Sequence, residues 1–273
     1  MSQGIELPTY FPISEHVLPD FEGLRSNSNA LNELRETQSE ILKAANTYFE
    51  SLFPEDSSVQ WNVEESGNVE IIKSLLESFE KLSRAQQQTK FYNDVFETTR
   101  SAVRNRARNE PELSLRNIDM YKKADPDKKS FSQLLEERLS NPPTFKVNSN
   151  NPDFIFLKNA TFVIDHPLDP LPDEEEDDDL QIGGGKIDLK CPISMNIFES
   201  PMLSKKCSHT IDQKSLFGIW KSPNSTEDCP ILGCSKTLRR ADFVPDRLMA
   251  LRVKSYKAQQ ERLENAEDYD RLE

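Results

Sequence analysis

Cys207-Ser208-His209, followed some twenty residues later by Cys229-Pro230-Ile231-Leu232-Gly233-Cys234, is the stretch that most restricts how this chain can fold. Three thiols and one imidazole suit a tetrahedral structural zinc, and two close ligand pairs separated by a longer loop let two segments grip one ion. The plain alternative is a set of ordinary buried thiols. Four of the seven Cys and His residues fall within this one short stretch, which buried thiols would not require. Cys207, His209, Cys229 and Cys234 are therefore the candidate ligands of a single structural zinc.

At 273 residues, with 36% hydrophobic and 30% charged residues, the chain has the makeup of a soluble protein of one or two domains. Eight glycines argue against a large sandwich or barrel. No apolar run is long enough to span a bilayer, and the first residues, Met1-Ser2-Gln3-Gly4-Ile5-Glu6, lack a basic segment leading into an apolar one. No membrane contact or secretion is expected. Outside the zinc set only Cys191 remains, so no disulfide framework is implied and a reducing compartment fits. The formal net charge is -13, but the seven acids of Asp173-Glu174-Glu175-Glu176-Asp177-Asp178-Asp179 leave only about -6 for the rest.

Residues 1–25, punctuated by Pro8, Pro12 and Pro19, read as an extended arm without a core of its own. After the Ser26-Asn27-Ser28-Asn29 cluster, Leu31, Leu34, Gln38, Ile41, Ala45, Tyr48 and Leu52 recur at steps of three and four, a coiled-coil-like seam ending at Pro54. A second helix carries Val69, Ile72, Leu76 and Phe79, continues through a polar, exposed middle, and resumes at Tyr92, Val95, Phe96, Thr99 and Val103. Ser130 and Gln133 form a capping-box pattern before Phe131, Leu134, Leu135 and Leu139, with a stop before Pro142-Pro143. So thin a bundle buries little surface, so either it is a self-sufficient hairpin or helices of another protein complete its stripes. Basic residues gather at Arg100, Arg104, Arg106, Arg108, Arg116, Lys122, Lys123, Lys128 and Lys129, but no aromatic platform accompanies them, which argues against direct DNA binding there.

Phe154-Ile155-Phe156-Leu157 and Phe162-Val163-Ile164-Asp165 are rich in β-formers. Two readings stay open: strands packed on the C-terminal module, or a SUMO-interacting segment in which Phe162, Val163 and Ile164 add to a sheet edge of SUMO. The acidic run that follows reads either as a solvated linker or as a steering surface for basic partners. The expected organisation is an arm (1–25), a helical region (26–141), a linker with strand-forming segments and the acidic run (142–182), a zinc domain (183–245), and a C-terminal helix with an acidic, frayed tail (246–273).

A full RING motif would place cysteines three and six residues after His209, where Asp212 and Ser215 stand, and a Cys-x-x-Cys pair upstream, where the chain has Cys191-Pro192-Ile193-Ser194. One of the two RING zinc sites is therefore stripped of ligands. Cys191, Ser194, Asp212 and Ser215 are expected to tie the loops by hydrogen bonds instead. Asp212 is placed to cap a helix whose Leu216, Phe217 and Trp220 pack beneath them.

This one-zinc pattern resembles the SP-RING family, the Siz/PIAS-type RING of SUMO ligases, from about Lys186 to Pro245. Within it the chain looks most like the non-SMC element two SUMO-ligase subunits of the SMC five-six complex. That closer match rests on Asp179-Leu180-Gln181-Ile182, Gly184-Gly185-Lys186-Ile187, Cys191-Pro192-Ile193, Cys207-x-His209, Cys229-Pro230 with Cys234, and Asp242-Phe243-Val244. The resemblance implies a helical, coiled-coil-like N-terminal region docked on an SMC coiled-coil arm, followed by a small α+β SP-RING domain. It implies a SUMO transferase acting in DNA repair on chromosomes in the nucleus, with no covalent intermediate on this chain. Ile193 and Leu232 are the expected contacts to the SUMO-charged conjugating enzyme. A non-catalytic zinc-containing adaptor and a ubiquitin ligase are the alternatives. No serine, histidine and acid arrangement marks an independent active site.

Overall fold

The computed structural model describes residues 10–53, 66–122, 128–172 and 185–270, so the acidic run and Leu180 through Gly184 lie outside the described residues. Eight α-helices are described: α1 (Leu18–Gly23), α2 (Ser28–Ser51), α3 (Ser66–Asn109), α4 (Asp119–Lys122), α5 (Phe131–Leu139), α6 (Pro152–Asp165), α7 (Gln213–Ile219) and α8 (Arg247–Asp270). Five short strands, β1 (Pro201–Ser204), β2 (Thr210–Asp212), β3 (Glu227–Asp228), β4 (Thr237–Leu238) and β5 (Phe243–Pro245), all fall around the candidate metal ligands. A helical arm and a small α+β region are thus both present. No described helix is long and apolar enough to cross a membrane. The chain divides into two compact units, residues 1–40 with 79–147 and residues 41–78 with 148–273.

In the first unit α2 lies against α3, and the polar middle of α3 is not the exposed stretch its composition suggests. Ser83 is buried, with Gln38 Nε2 donating to its hydroxyl at 2.7 Å. Gln86 Nε2 donates to Gln38 Oε1 at 2.9 Å and to the Leu34 carbonyl at 3.2 Å. Long amides that satisfy one another and the backbone let a polar patch pack between helices.

The described part of the arm, residues 10–25, packs on the helical region and includes the short helix α1. Tyr10 is buried, donates to Glu110 Oε2 at 2.9 Å and lies 4.8 Å beneath the Arg106 guanidinium. Burial, reinforced by the Glu110 hydrogen bond, pushes its phenol up to about 12. Phe21 of α1 meets Phe131 edge-on at 5.4 Å, Arg100 donates to the Glu22 and Leu24 carbonyls, and Arg108 pairs with Glu22. An arm without its own core borrows one, and part of the basic run holds it there. The Ser130 capping box forms as expected, its hydroxyl accepting from Gln133 N while Gln133 Oε1 accepts from Ser130 N.

In the second unit the two β-rich runs are one helix. Asn151 Oδ1 caps α6 by accepting from Asp153 N at 2.8 Å and Phe154 N at 3.3 Å, with Pro152 in the first turn. Phe156, Leu157, Ala160, Val163 and Ile164 are buried at helical spacing, but the apolar Phe154, Ile155 and Phe162 lie outside that stripe and blur its period in the sequence. The SUMO-interacting reading of Phe162, Val163 and Ile164 is corrected by the same fact. Edge addition needs an extended strand with free backbone, whereas Val163 and Ile164 are helical and buried.

Helix α8 supplies partners for the last carbonyls of α6 and the turn beyond, groups that a helix end leaves unpaired. Ser255 Oγ and Gln259 Nε2 donate to the Ile164 carbonyl. The buried Arg252 donates to the Pro167 carbonyl at 2.9 Å and the Asp169 carbonyl at 2.7 Å. Arg247 joins three elements, donating to Asp153 at 2.6 Å and Asn46 at 2.9 Å while stacking 3.8 Å above Phe156. The expected frayed tail is helical through Asp270.

The remaining core is Leu189, Phe198, Ile211, Leu216, Trp220, Leu238, Phe243 and Val253. It sits under the antiparallel sheet β2-β1-β5, with Met202 opposite Ile211 and Leu203 opposite Val244. Trp220 fixes its centre by donating Nε1 to the Leu238 carbonyl at 2.9 Å. Leu216 and Trp220, four residues apart, share the buried face, but Phe217 is rotated away and 48% exposed, so it is not part of this core.

Candidate metal centre and docking loops

Two hairpins bring the four candidate ligands together. Cys207 and His209 lie in the turn joining β1 to β2, and Cys229 and Cys234 in the connection from β3 to β4. In the first turn Ser208 takes a left-handed backbone (φ 56°), with Ser208 N bonded to the Ser204 carbonyl and Ser204 N to the His209 carbonyl. In the second, Gly233 at φ 85° allows the tight return in which Cys234 N meets the Ile231 carbonyl at 3.0 Å. The backbone turns thus aim the side chains before any ion is considered.

The donor atoms of Cys207, His209, Cys229 and Cys234 all lie within 4.8 Å of one another. Cys207 Sγ and Cys229 Sγ are 3.8 Å apart, and Cys229 Sγ is 3.5 Å from His209 Nδ1. A tetrahedron with metal–sulfur bonds of about 2.3 Å and metal–nitrogen bonds of about 2.0–2.1 Å has S···S edges of about 3.8 Å and S···N edges of about 3.5 Å. The residues present fit one zinc ion by donor type and by spacing.

The electrostatics agree. Burial opposes the Cys207 thiolate, but hydrogen bonds from Ser204 and from the backbone and ring of His209 outweigh it and bring the thiol down to about 7. Burial pushes Cys229 up to about 11, and the facing Cys234 and Cys207 reinforce that rise. A cluster that favours its first thiolate and resists the next calls for a compensating cation.

The second corner of the fold is held without metal donors. Cys191 is fully buried, accepts the Asp212 N–H at 3.4 Å and stands 3.6 Å from Ser215 Oγ. Its loop closes through Met195 N to the Cys191 carbonyl and Cys191 N to the Asn196 carbonyl, both 2.8 Å. Burial raises the Cys191 pKa, but N–H donors from Ser194, Asp212 and Ile193 outweigh that and lower it. Asp212 caps α7 by accepting Lys214 N at 3.1 Å, and its other oxygen accepts Glu199 N at 2.8 Å and Ser200 N at 3.0 Å. These donors overcome the opposing effect of burial and lower its pKa. The Ser194 hydroxyl adds one long contact, accepting from Asn196 N at 3.5 Å.

Each corner presents an apolar tip. Ile193, in the Cys191 loop, is 38% exposed, and Leu232, in the Cys229–Cys234 loop, is 101% exposed. Sequence reasoning passed over Asp246, whose carboxylate caps α8 at Met249 N and accepts the Thr210 hydroxyl at 2.6 Å beside His209. Its position just before the C-terminal helix was the available sign.

Residues 178–235 match the family described as the zinc finger of the MIZ type in Nse subunit. The chain is 28% identical over 191 residues to the E3 SUMO-protein ligase MMS21 of Saccharomyces cerevisiae, covering 69% of this chain and 71% of that protein. It is 26% identical over 93 residues to the E3 SUMO-protein ligase NSE2 of Rattus norvegicus, and 26% identical over 82 residues to nse2 of Schizosaccharomyces pombe. Those two alignments cover 33% and 30% of this chain, and 38% and 32% of the relatives, respectively. One donor set of zinc geometry beside one corner held without metal donors agrees with the match of residues 178–235 to the MIZ-type zinc finger of Nse subunits.

Proposed function

We propose that this chain is a SUMO-protein ligase subunit in which Cys207, His209, Cys229 and Cys234 hold one structural zinc, and Ile193 and Leu232 contact the SUMO-charged conjugating enzyme. The observation that carries the reading is the pair of exposed aliphatic tips held on two braced loops of one small core. A closed set of four protein ligands leaves the ion no position for water or substrate, so its contribution is to fold the loops. Ile193 and Leu232 bind the conjugating enzyme. Cys191, Asp212 and α7 keep the two loops at fixed separation. Rate enhancement then comes from holding the enzyme–SUMO thioester in an orientation that a substrate lysine can attack. Transfer joins the lysine nitrogen to the SUMO carboxyl carbon and returns the conjugating enzyme's thiol, with no bond made to this chain.

The helical region is assigned to docking on an SMC coiled-coil arm, and the chain to chromosomes in the nucleus. The resemblance to the non-SMC element two subunits supports that assignment. The test is conjugation reconstituted from SUMO, its activating and conjugating enzymes and this protein. Ile193→Ala and His209→Ala should both lose stimulation, and unchanged conjugation in both contradicts ligase function. Co-purification of the full chain with an SMC arm, or its failure, decides the docking assignment.

A further inference from the structure

A second face of the zinc module combines a half-exposed aromatic ring with a cluster of cations. Phe217 is 48% exposed on α7, with the Arg240 guanidinium stacked 4.7 Å from its ring centre. Arg240 is fixed by donating Nε to the Trp220 carbonyl, next to the exposed Lys221. Asp242 gathers the rest: its Oδ2 accepts Arg239 N at 2.8 Å and Lys206 Nζ at 2.8 Å, and its carbonyl accepts Lys205 N at 2.9 Å. Five cations thus cluster around one carboxylate and one aromatic ring, with the acids Glu227 and Asp228 on the neighbouring strand, paired opposite Leu238 and Thr237. Lys205 closes no ion pair among the described residues, Arg239 feels the Asp242 charge without closing to an ion pair, and both are exposed. This local excess of positive charge stands against a chain whose overall charge is -13.

We propose that this face binds single-stranded nucleic acid, with Lys205, Lys206, Lys221 and Arg239 on the phosphates and Phe217, backed by Arg240, stacking on an unpaired base. Cations along a strand path beside an aromatic platform form the combination that sequence-tolerant single-strand binding requires. The basic run of the helical region lacks such a ring and is partly used to hold the N-terminal arm. An acidic peptide would satisfy the cations but leave the ring without a stacking partner, so the nucleic acid fits better. The inference rests on the folded zinc module and not on ligase activity.

The test is fluorescence anisotropy of a labelled oligothymidylate with the full-length, zinc-loaded protein across a salt series, with zinc content and circular dichroism checked for each variant. Replacing two phosphate contacts in Lys205→Ala/Arg239→Ala should lower the log–log salt slope by about 1.4, at about 0.7 per contact for a single strand. Phe217→Leu keeps an apolar side chain but no ring, and should weaken binding about fivefold or more. Duplex of the same length should bind more weakly and be insensitive to Phe217→Leu. No binding at low salt, or slope and affinity unchanged in the double variant, overturns the proposal. So does a polyglutamate peptide that outcompetes the oligonucleotide on this face.

Discussion

The two corners of the zinc module do the same mechanical work by different means. At one, four side chains converge with their donor atoms within 4.8 Å of one another, and two of the edges have the spacing of a metal tetrahedron. At the other, Asp212 accepts three backbone N–H groups while Cys191 takes a fourth from Asp212 itself. An ion concentrates the cross-link in one centre, so any lost ligand opens the whole corner. A hydrogen-bonded corner spreads it over many modest contacts, each removable at limited cost. A zinc module with one corner of metal donors and one held by a carboxylate and a thiol therefore keeps both loops but makes them unequal in strength.

This inequality can be broken in order of size. The largest effect is expected from His209→Ala or from chelation, because zinc-finger peptides draw about 10–16 kcal/mol of apparent folding free energy from their ion. Near-ultraviolet circular dichroism from Trp220 and bound-zinc analysis should show loss of both packing and metal. Asp212→Ala comes next, at about 3 kcal/mol in urea denaturation, since it removes the acceptor of three part-buried hydrogen bonds and uncaps α7. It should still bind one zinc. Because the Asp212 pKa is lowered in the fold, its contribution is complete above about pH 4 and disappears as pH falls through the lowered folded value. Asp212→Asn should flatten that acid limb of the stability profile. Cys191→Ser is smaller still, about 1–2 kcal/mol, again with one zinc retained. A fall in zinc content in Cys191→Ser would show that the two corners are not separate.

The metal corner was legible in the sequence because ligand chemistry tolerates few residue types and its two pairs are local. The Asp212 cap and the Ser130 box were legible for the same reason: each is a short-range hydrogen bond between named neighbours. Helix α6 was not, because its two runs of consecutive apolar residues, Phe154 to Leu157 and Phe162 to Ile164, resemble strand by composition; Asn151-Pro152 at its start was the sign of a helix. Phe217 misled because helical spacing alone does not say which residue on the edge of a stripe turns outward. The capture of Tyr10 by Arg106 and Glu110 depends on contacts about a hundred residues away, which no local pattern encodes.

The tips of the two corners carry the smallest expected effect on stability and the largest on function. Ile193→Ala/Leu232→Ala removes little buried surface, so the melting transition should move by about 0.5 kcal/mol or less. The decisive measurement is discharge of a preformed SUMO–conjugating-enzyme thioester onto free lysine, with zinc content read on the same samples. The wild-type chain should accelerate discharge, and the double variant, still holding one zinc, should lose about tenfold or more of that acceleration. Wild-type rates in the folded, zinc-loaded double variant would contradict the assignment of these two loops as the surface through which the chain acts.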